Sequence, residues 1–279
     1  MADKSLRLDE IGYWSEVKLE IVRKYAAAYS RILARRSFIR GHIYIDAFGG
    51  AGLHVSKTTG EVVSGSPANA MRITPPFTEL HFIDLEGTRA AALRRLSAGD
   101  QRVTVHRGDC NQVLLKAVFS RCLWSDYRRA LCLLDPYALN VNWEVLLTAG
   151  KMKSVEVFYN FMIMDANMNV FMRDPSKVTA ANAARMDAVW GDSSWRSAAY
   201  RTTTDLLGER EDKVTNEDIA EAFRMRLEKV AGFAYVPTPI PMRNSRGAVI
   251  CYLYFASPDN TGAKIVSQIF DKYREQGAV

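Results

Sequence analysis

Four short apolar runs of the sequence end in, or lead directly to, an acidic residue. These residues are Asp46, Asp84, Asp109 and Asp135. Any one of them could cap the N-terminus of a following helix. Four in the same position are difficult to explain as caps, because ligands of open parallel sheets bind where the carboxyl ends of the strands meet. The pattern predicts a rim of carboxylates around a pocket.

The first of these acidic residues is followed by a glycine-rich turn. Residues 44–52 read YIDAFGGAG, so three glycines fall within four positions. A turn without side chains lets backbone N–H groups approach a small ligand, although a tight strand-to-helix connection without a ligand would use the same residues. Neither the phosphate-loop motif GxxxxGK[ST] nor the dinucleotide motif GxGxxG follows.

A pocket of carboxylates without a phosphate-binding loop suits a ligand that carries hydroxyls, amines and positive charge. S-adenosylmethionine is such a ligand, with its ribose diol, ammonium, sulfonium and adenine amine. We expect Asp46 near the ammonium, Asp84 or Glu86 on the ribose hydroxyls, and Asp109 on the adenine amine. The full set of predicted cofactor-binding residues is Asp46, Phe48, Gly49, Gly50, Gly52, Asp84, Leu85, Glu86, Asp109 and Cys110.

The elements that position these residues alternate between strand-like and helix-like patterns. After a helix at 13–33, five apolar runs are separated by helix-like segments, which is typical of βαβ units and a parallel sheet covered on both faces. The runs are 42–48, 80–85, 103–106, 130–135 and 155–161, and the intervening helical segments are 88–96, 110–119 and 143–150.

The pattern changes after the fifth run. Residues 166–232 contain no convincing strand and are predicted to be helical, with a capping box at Thr215 and Asp218. Two strand-like runs, 233–242 and 248–257, then predict an antiparallel pair, and a last helix covers 262–275. The predicted organisation is an N-terminal helical segment (1–43), an α/β domain (44–165 and 233–279) and a helical insertion (166–232).

The order of these elements resembles a class I S-adenosylmethionine-dependent methyltransferase. This implies a Rossmann-like, mostly parallel seven-stranded sheet with an antiparallel last strand. A narrower resemblance, to the three-Cys-motif partner protein family, covers nearly the whole chain. It rests on the stretches WSEVKLEIVRKYAAAY, YIDAFGGAG, GSP, FIDL, GDCN, LLDPYAL and FMIMDANMN. The family resemblance implies a methyltransferase-like protein encoded near a radical-enzyme-like protein that bears three cysteines.

Residues 135–137 read DPY and indicate the reaction. They resemble the (D/N)PP(Y/F) motif of methyltransferases that act on exocyclic amines of nucleobases, with one proline instead of two. The resemblance implies that Asp135 and the Pro136 carbonyl accept hydrogen bonds from the target amine while Tyr137 stacks on the base. Alternatively, Tyr137 is a core aromatic residue beside the sheet.

Two further residues are candidates for substrate binding. Lys18 on the first helix could reach the pocket or a substrate phosphate, although a solvent-exposed lysine is the interpretation that its position favours. Asn160, at the end of the fifth run, could line the pocket or be an ordinary strand-end amide. Residues 164–169 (MDANMN) form either a lid or the start of the insertion.

Charge and composition narrow the class of protein. Residues 1–43 hold nine Lys/Arg and five Asp/Glu, which could help to attract nucleic acid or could be an ordinary solvated helix face. No apolar run reaches the roughly 18 residues of a membrane span, and the first residues lack the apolar segment of a secretory signal. The four cysteines lack metal-ligand spacing, so we expect reduced thiols, no zinc site, no membrane contact and a cytoplasmic location.

The leading functional hypothesis is a methyltransferase that modifies an amino group of a nucleobase in nucleic acid. The alternatives are a binding partner of the three-Cys radical-enzyme-like protein without its own catalysis, and a small-molecule methyltransferase. If the enzymatic hypothesis is right, Asp135→Ala should abolish methyl transfer and leave the fold nearly intact.

Overall fold

A computed structural model describes residues 8–205 and 208–275 of the chain. Its strands are β1 (Asp9–Ile11), β2 (Gly41–Asp46), β3 (Leu53–Ser56), β4 (Val62–Ser64), β5 (Glu79–Asp84), β6 (Val103–Arg107), β7 (Arg128–Leu134), β8 (Val155–Phe161), β9 (Tyr200–Asp205), β10 (Gly208–Lys213), β11 (Ile240–Arg243) and β12 (Val249–Ala256). Its α-helices are α1 (Tyr13–Ala34), α2 (Ser66–Met71), α3 (Gly87–Leu96), α4 (Cys110–Val113), α5 (Trp143–Met152), α6 (Ile163–Asn169), α7 (Ala180–Trp190), α8 (Trp195–Ala199), α9 (Asn216–Lys229) and α10 (Asn260–Glu275). A π-helical stretch covers Leu114–Val118, and 3-10 turns cover Phe119–Arg121, Trp124–Asp126 and Pro175–Lys177.

The central element is a seven-stranded sheet with the order β11-β12-β8-β7-β2-β5-β6. Strands β6, β5, β2, β7 and β8 are parallel, whereas β12 is antiparallel to both of its neighbours. The last strand of the chain is therefore the one that reverses direction. The predicted Rossmann-like class I methyltransferase fold, mostly parallel with an antiparallel last strand, is confirmed.

The strand order reverses between β2 and β7, in the middle of the sheet. The chain runs from β2 outward to β5 and β6, and then returns to β7 on the other side of β2. Asp46 at the end of β2 is paired with Leu133, so Asp135 lies two residues further on, just after the end of the neighbouring strand β7. Ligands of open α/β sheets bind at such a switch point, outside the carboxyl ends of the strands.

Both faces of the sheet are covered, which explains why its central strands are mostly apolar, whereas the edge strand β6 (VTVHR) is only partly buried. In β2, Ile43 and Ile45 pack into one core cluster and Tyr44 into the other, as the two-residue period of a strand requires. Helices α1 and α10 cover the face of Tyr44, while α5 and α9 cover the opposite face. Every side chain of β2 is buried.

The segment 166–232 differs in part from the prediction. It contains the expected helices, and the capping box of Thr215 and Asp218 begins α9. However, β9 and β10 form an antiparallel hairpin, so the expectation of no strand was wrong. The three consecutive threonines of β9 have high strand propensity, and Thr203 bonds across the hairpin to Asp212 at 2.7 Å.

The predicted antiparallel pair near the C-terminus is present, but its first strand is shorter than expected. Strand β11 covers Ile240–Arg243, so it begins seven residues after the start of the predicted run 233–242 and ends one residue beyond it. Pro237 and Pro239 lack the N–H that a sheet ladder requires, and Pro241 within β11 is tolerated because β11 is an edge strand.

A second, small sheet was not predicted. Strands β3 and β4 form a hairpin from the polar segment after the glycine turn, and β1 adds to β3 in parallel. This sheet, β1-β3-β4, is called the cover sheet below. The helix expected at Pro67 begins at Ser66, directly after the cover sheet.

Two sequence predictions about the chain as a whole can be compared with the structure. Among the described residues, none of the helices combines the length and apolar character needed to cross a membrane. The four cysteines are all buried, and none of them forms a disulfide.

Candidate active site

The glycine turn connects β2 to the cover sheet at the switch point. The Phe48 N–H donates to Asp46 Oδ1 at 3.1 Å, and the Gly49 N–H donates to the Ile83 carbonyl at 2.9 Å, so the turn is tied to both neighbouring strands. Gly52 has a φ of +79°, and a Cβ there would lie 2.4 Å from a methyl carbon of Leu96. Glycine alone adopts this backbone conformation readily, and any larger residue would also have to displace the Leu96 side chain.

Asp46 is the most deeply buried carboxylate of the predicted rim, with 0% of its surface exposed. Its Oδ2 atom finds no hydrogen-bond partner among the described residues. Burial is the main cause that raises the pKa of Asp46 to about 7. The nearby Ser66 hydroxyl and the Phe48 N–H oppose this shift, and the carboxylates of Asp135 and Asp84 add to it. A cationic group that reached Oδ2 would find an acceptor and would favour the ionised form.

Asp84 at the end of β5 braces the glycine turn. Its Oδ2 accepts from the Gly50 N–H at 3.0 Å and its Oδ1 from the Glu86 N–H at 2.8 Å. Burial, the largest effect, raises the pKa of Asp84 despite these bonds. The next residue, Leu85, is 72% exposed, and the Glu86 carboxylate, which pairs with Arg89 at 3.2 Å, is also accessible. Leu85 and Glu86 thus present an apolar surface and an acceptor beside the turn.

Asp109 and Cys110 at the end of β6 have different environments. Asp109 caps α4, because its Oδ1 accepts from the Gln112 N–H at 3.1 Å, and its side chain is exposed. The capping role therefore holds for this member of the rim. Cys110 lies in the core, where burial raises the pKa of its thiol to about 12, so it is a neutral apolar neighbour of the site.

Asp135 is the centre of a polar cluster at the end of β7. Its Oδ1 accepts from Lys18 Nζ at 2.5 Å and from Asn160 Nδ2 at 2.9 Å. Within the described part of the chain, its Oδ2 has no donor, and the Pro136 carbonyl oxygen has none either. The structure therefore brings three predicted site residues, Lys18, Asp135 and Asn160, into direct contact, and leaves one carboxylate oxygen available.

Lys18 is buried, so the expectation of a solvent-exposed lysine was wrong. Only 5% of the residue is exposed, and its ammonium lies 5.0 Å from the centre of the Trp14 ring. Residue 18 falls on the face of α1 that packs on the sheet, beside Val17, Ile21 and Val22. Its charge is compatible with this face because the partner carboxylate of Asp135 lies opposite.

Tyr137 is exposed, which contradicts the alternative of a core aromatic residue. Its side chain is 63% exposed, and its hydroxyl lies 3.4 Å from Asp9 Oδ2. The loop that carries Tyr137 is held by α6, which crosses the predicted start of the insertion at residue 166, and Asp165 Oδ2 of this helix accepts from the Leu139 N–H at 2.9 Å. Residues 164–169 therefore belong to a helix beside the site.

Three residues near the site were missed from the sequence. Asp9 in β1 pairs with Arg89 at 3.0 Å, and both lie beside Tyr137 and Glu86. His54 in β3 is held against the glycine turn, its Nδ1 has no partner among the described residues, and burial lowers its pKa. The alternation of LHVS at 53–56 was a signal for a strand, but β1 is too short to be recognised.

The basic residues at the end of α1 lie far from this site. Lys18, in the first half of α1, faces the carboxyl end of β7, whereas Arg36, just after the helix, lies near the beginning of β7 and β8. The positive excess of residues 1–43 is therefore not concentrated at the mouth formed by Tyr137 and Asp135. Residues 1–7 of that predicted segment lie outside the described residues.

Comparisons with known proteins support the fold. No family model matches the chain, and no curated protein matches it in sequence. A crystal structure of a protein from Legionella pneumophila shares 11% identity, covers 94% of this chain and 91% of its own, and has a TM-score of 0.52. A S-adenosylmethionine-dependent methyltransferase from Clostridium acetobutylicum shares 9% identity, covers 86% of this chain and 92% of its own, and has a TM-score of 0.39. The support for the fold comes from the Legionella pneumophila structure, and at 11% identity that likeness concerns the fold alone.

Proposed function

We propose that this protein is an S-adenosylmethionine-dependent methyltransferase that methylates an exocyclic amine of a nucleobase. The proposal rests on the hydrogen bonding of the Asp135 carboxylate at the switch point of the sheet. One carboxylate oxygen is held by Lys18 and Asn160, and the other has no donor among the described residues. The exposed ring of Tyr137 follows two residues later.

The residues at the end of β2 and β5 fit the proposed cofactor. Asp46 Oδ2 is a buried acceptor that forms no hydrogen bond within the described part of the chain, although the Ser66 hydroxyl lies nearby, and an ammonium group would give it a charged donor. The accessible Glu86 carboxylate suits ribose hydroxyls, and exposed Leu85 suits the face of an adenine ring. Asp84 supports the site indirectly, because its oxygens already hold the turn. When bound, S-adenosylmethionine would supply an electrophilic methyl group.

The substrate side is formed by the DPY segment. Asp135 Oδ2 and the Pro136 carbonyl oxygen can accept the two N–H groups of an exocyclic amine, which fixes the direction of its nitrogen lone pair. Stacking of a base on an exposed aromatic ring such as Tyr137 contributes roughly 1–3 kcal/mol. Because Lys18 and Asn160 bind only Oδ1, they orient the carboxylate without occupying the proposed acceptor. The methylated amine can release its extra proton to water, so no general base is needed.

Radiolabelled methyl transfer tests this proposal directly. The protein is incubated with labelled S-adenosylmethionine and total cellular RNA, DNA or small-molecule extract. We expect label in a nucleic-acid fraction, loss of transfer in Asp135→Ala, and substantial retention in Asp135→Asn, because an amide oxygen is also an acceptor. Asp271→Ala on α10 removes an exposed carboxylate elsewhere and is the matched control. No transfer to any fraction by the wild-type protein would contradict the proposal.

A small-molecule amine is the second candidate substrate. The cover sheet favours it, because Asp9 of β1 contacts the Tyr137 hydroxyl and so places backbone close to the proposed acceptor. In the same assay this substrate would put the label into the small-molecule fraction alone. A role as partner of a three-Cys radical-enzyme-like protein stays a prediction, and it would be favoured if Asp135→Ala left cellular function unchanged.

A further inference from the structure

A cavity of about 500 Å³ lies at the edge of the sheet opposite to Asp135. Its walls are the second half of α1, the beginnings of β7 and β8, and the N-terminus of α10. Arg129 at the beginning of β7 is six residues from Asp135, or about 20 Å along an extended strand. The volume is in the range of small-molecule sites, which span roughly 300–1,000 Å³. The cavity is therefore separate from the candidate active site.

One wall of the cavity carries a cation that lacks an anionic partner. The Arg129 guanidinium lies 3.3 Å from the centre of the Trp124 ring and donates to the Arg128 carbonyl, but it forms no ion pair with any described residue. Burial lowers the pKa of Arg129, because removal from water disfavours the charged guanidinium. Exposed Arg36 and Lys153 also line the cavity.

The lining of the cavity holds two acidic residues against three basic ones. The Glu156 carboxylate accepts from the Tyr25 and Ser257 hydroxyls, and burial raises its pKa to about 7. The Asp259 Oδ1 atom accepts from the Thr261 N–H at 2.7 Å at the start of α10, and the carboxylate forms no ion pair with any described residue. The basic residues of the lining therefore outnumber the acidic ones, and this excess of positive charge would favour an anion.

The remaining walls combine aromatic and aliphatic side chains and include one unsatisfied hydroxyl. Tyr29 lines the cavity and is 6% exposed, and its hydroxyl has no hydrogen-bond partner among the described residues. A buried hydroxyl without a partner is uncommon and calls for one. Phe38 and Trp124 are 51% and 55% exposed at the rim. Arg129 covers one face of the Trp124 ring, so the Phe38 ring and the other face of Trp124 are the flat surfaces left for a planar ligand.

From these contacts we infer that the cavity binds a nucleotide. The phosphate would meet Arg129 with Arg36 or Lys153, the base would contact the aromatic walls, and a polar atom of its edge would satisfy the Tyr29 hydroxyl. The nucleotide comes either as a free mononucleotide or as one unit of a single-stranded nucleic acid. The site does not depend on methyl transfer, because none of its residues touches Asp135 or the glycine turn.

Calorimetry with pyrimidine ligands tests the inference, because a pyrimidine cannot imitate the adenosine of the proposed cofactor. The probes are uridine monophosphate, uridine, inorganic phosphate and a ten-residue oligouridylate. We expect saturable binding of the monophosphate and at least about tenfold weaker binding of uridine, since a charge-assisted hydrogen bond to phosphate is lost. Comparable affinity of the two phosphorylated probes identifies the free nucleotide, and a much tighter oligonucleotide identifies a nucleic acid.

Variants locate the binding in the cavity. Arg129→Gln should weaken binding of the tighter phosphorylated probe about tenfold or more, and Tyr29→Phe should weaken it without changing the cavity shape. Arg35→Gln removes a neighbouring exposed cation that does not line the cavity, and should bind as the wild-type protein does. Circular dichroism checks that each variant is folded, and Trp124→Leu replaces Arg129→Gln if that variant is not. The inference is overturned if neither phosphorylated probe binds at millimolar concentration, or if the cavity variants bind as well as Arg35→Gln.

Discussion

Replacing Asp135 should destabilise the protein far more than replacing its partner Lys18. The side chain of Lys18 is 6% exposed and that of Asp135 is 23% exposed. Asp135→Ala leaves the ammonium buried without a carboxylate, which typically costs about 3–5 kcal/mol. Lys18→Met leaves a carboxylate that retains the Asn160 bond and some water, so its cost should be about 1 kcal/mol. The two single costs then sum to about 4–6 kcal/mol, and the double variant should cost less, with a coupling of about 2 kcal/mol or more.

Urea unfolding of the four proteins, followed by far-ultraviolet circular dichroism, measures these costs. The slope of the free energy of unfolding against urea should be the same in all four, so that the midpoints report stability. Equal costs for the two single variants, or costs that add in the double variant, would refute the reasoning. The result also bears on the activity assay. The sequence predicts that Asp135→Ala leaves the fold nearly intact, but the buried Lys18 makes that expectation untenable, so rates must be corrected for the folded fraction.

Three further predictions concern single sites. His81 is buried beside His106, and burial is the main cause that lowers the pKa of His81 to about 4. As the pH falls, His81 becomes protonated in the unfolded chain before it does so in the folded protein, so the free energy of unfolding should fall by about 3 kcal/mol between pH 6.5 and pH 4. His81→Gln should remove this loss. If the free energy of unfolding of His81→Gln fell as steeply with pH, His81 would not be its cause. Gly52→Ala, at positive φ and facing Leu96, should abolish calorimetric binding of S-adenosylhomocysteine, and tight binding by a folded Gly52→Ala protein would contradict the role of the turn. Tyr137→Phe should keep methyl transfer within about threefold and Tyr137→Ala should raise KM, because stacking needs the ring and the 3.4 Å hydroxyl contact is weak; equal KM values would argue against stacking.

The parallel strands were predictable because each is a short apolar run between helical segments, and burial on both faces leaves that pattern in the sequence itself. Asp46 and Asp84 were predictable for the same reason, since the end of a buried strand fixes the edge of the sheet. The burial of Lys18 was not, because it depends on a carboxylate 117 residues away that no local pattern reveals.

The cover sheet was missed for a related reason. Strand β1 has three residues and pairs with β3 more than 40 residues later, so neither its length nor its composition predicts a strand. The hairpin β9-β10 was missed because its strands are polar and lie outside the main sheet, where apolar runs are not required.

The return of the chain from β6 to β7 separates the proposed cofactor residues from the DPY segment, whereas Lys18 of α1 and Asn160 of β8 support Asp135 from outside both stretches. The proposed cofactor residues lie on β2, β5, β6 and their loops, all before residue 111, and the proposed substrate residues of the DPY segment follow β7. Strand β7 is paired with β2 in a fixed register. If β7 is kept, a loop taken from another protein and placed after it would therefore begin at the same position relative to β2. On this assignment the protein is modular: a chimera that exchanges the loop after β7 for that of another enzyme of the same topology should change the substrate and keep the cofactor.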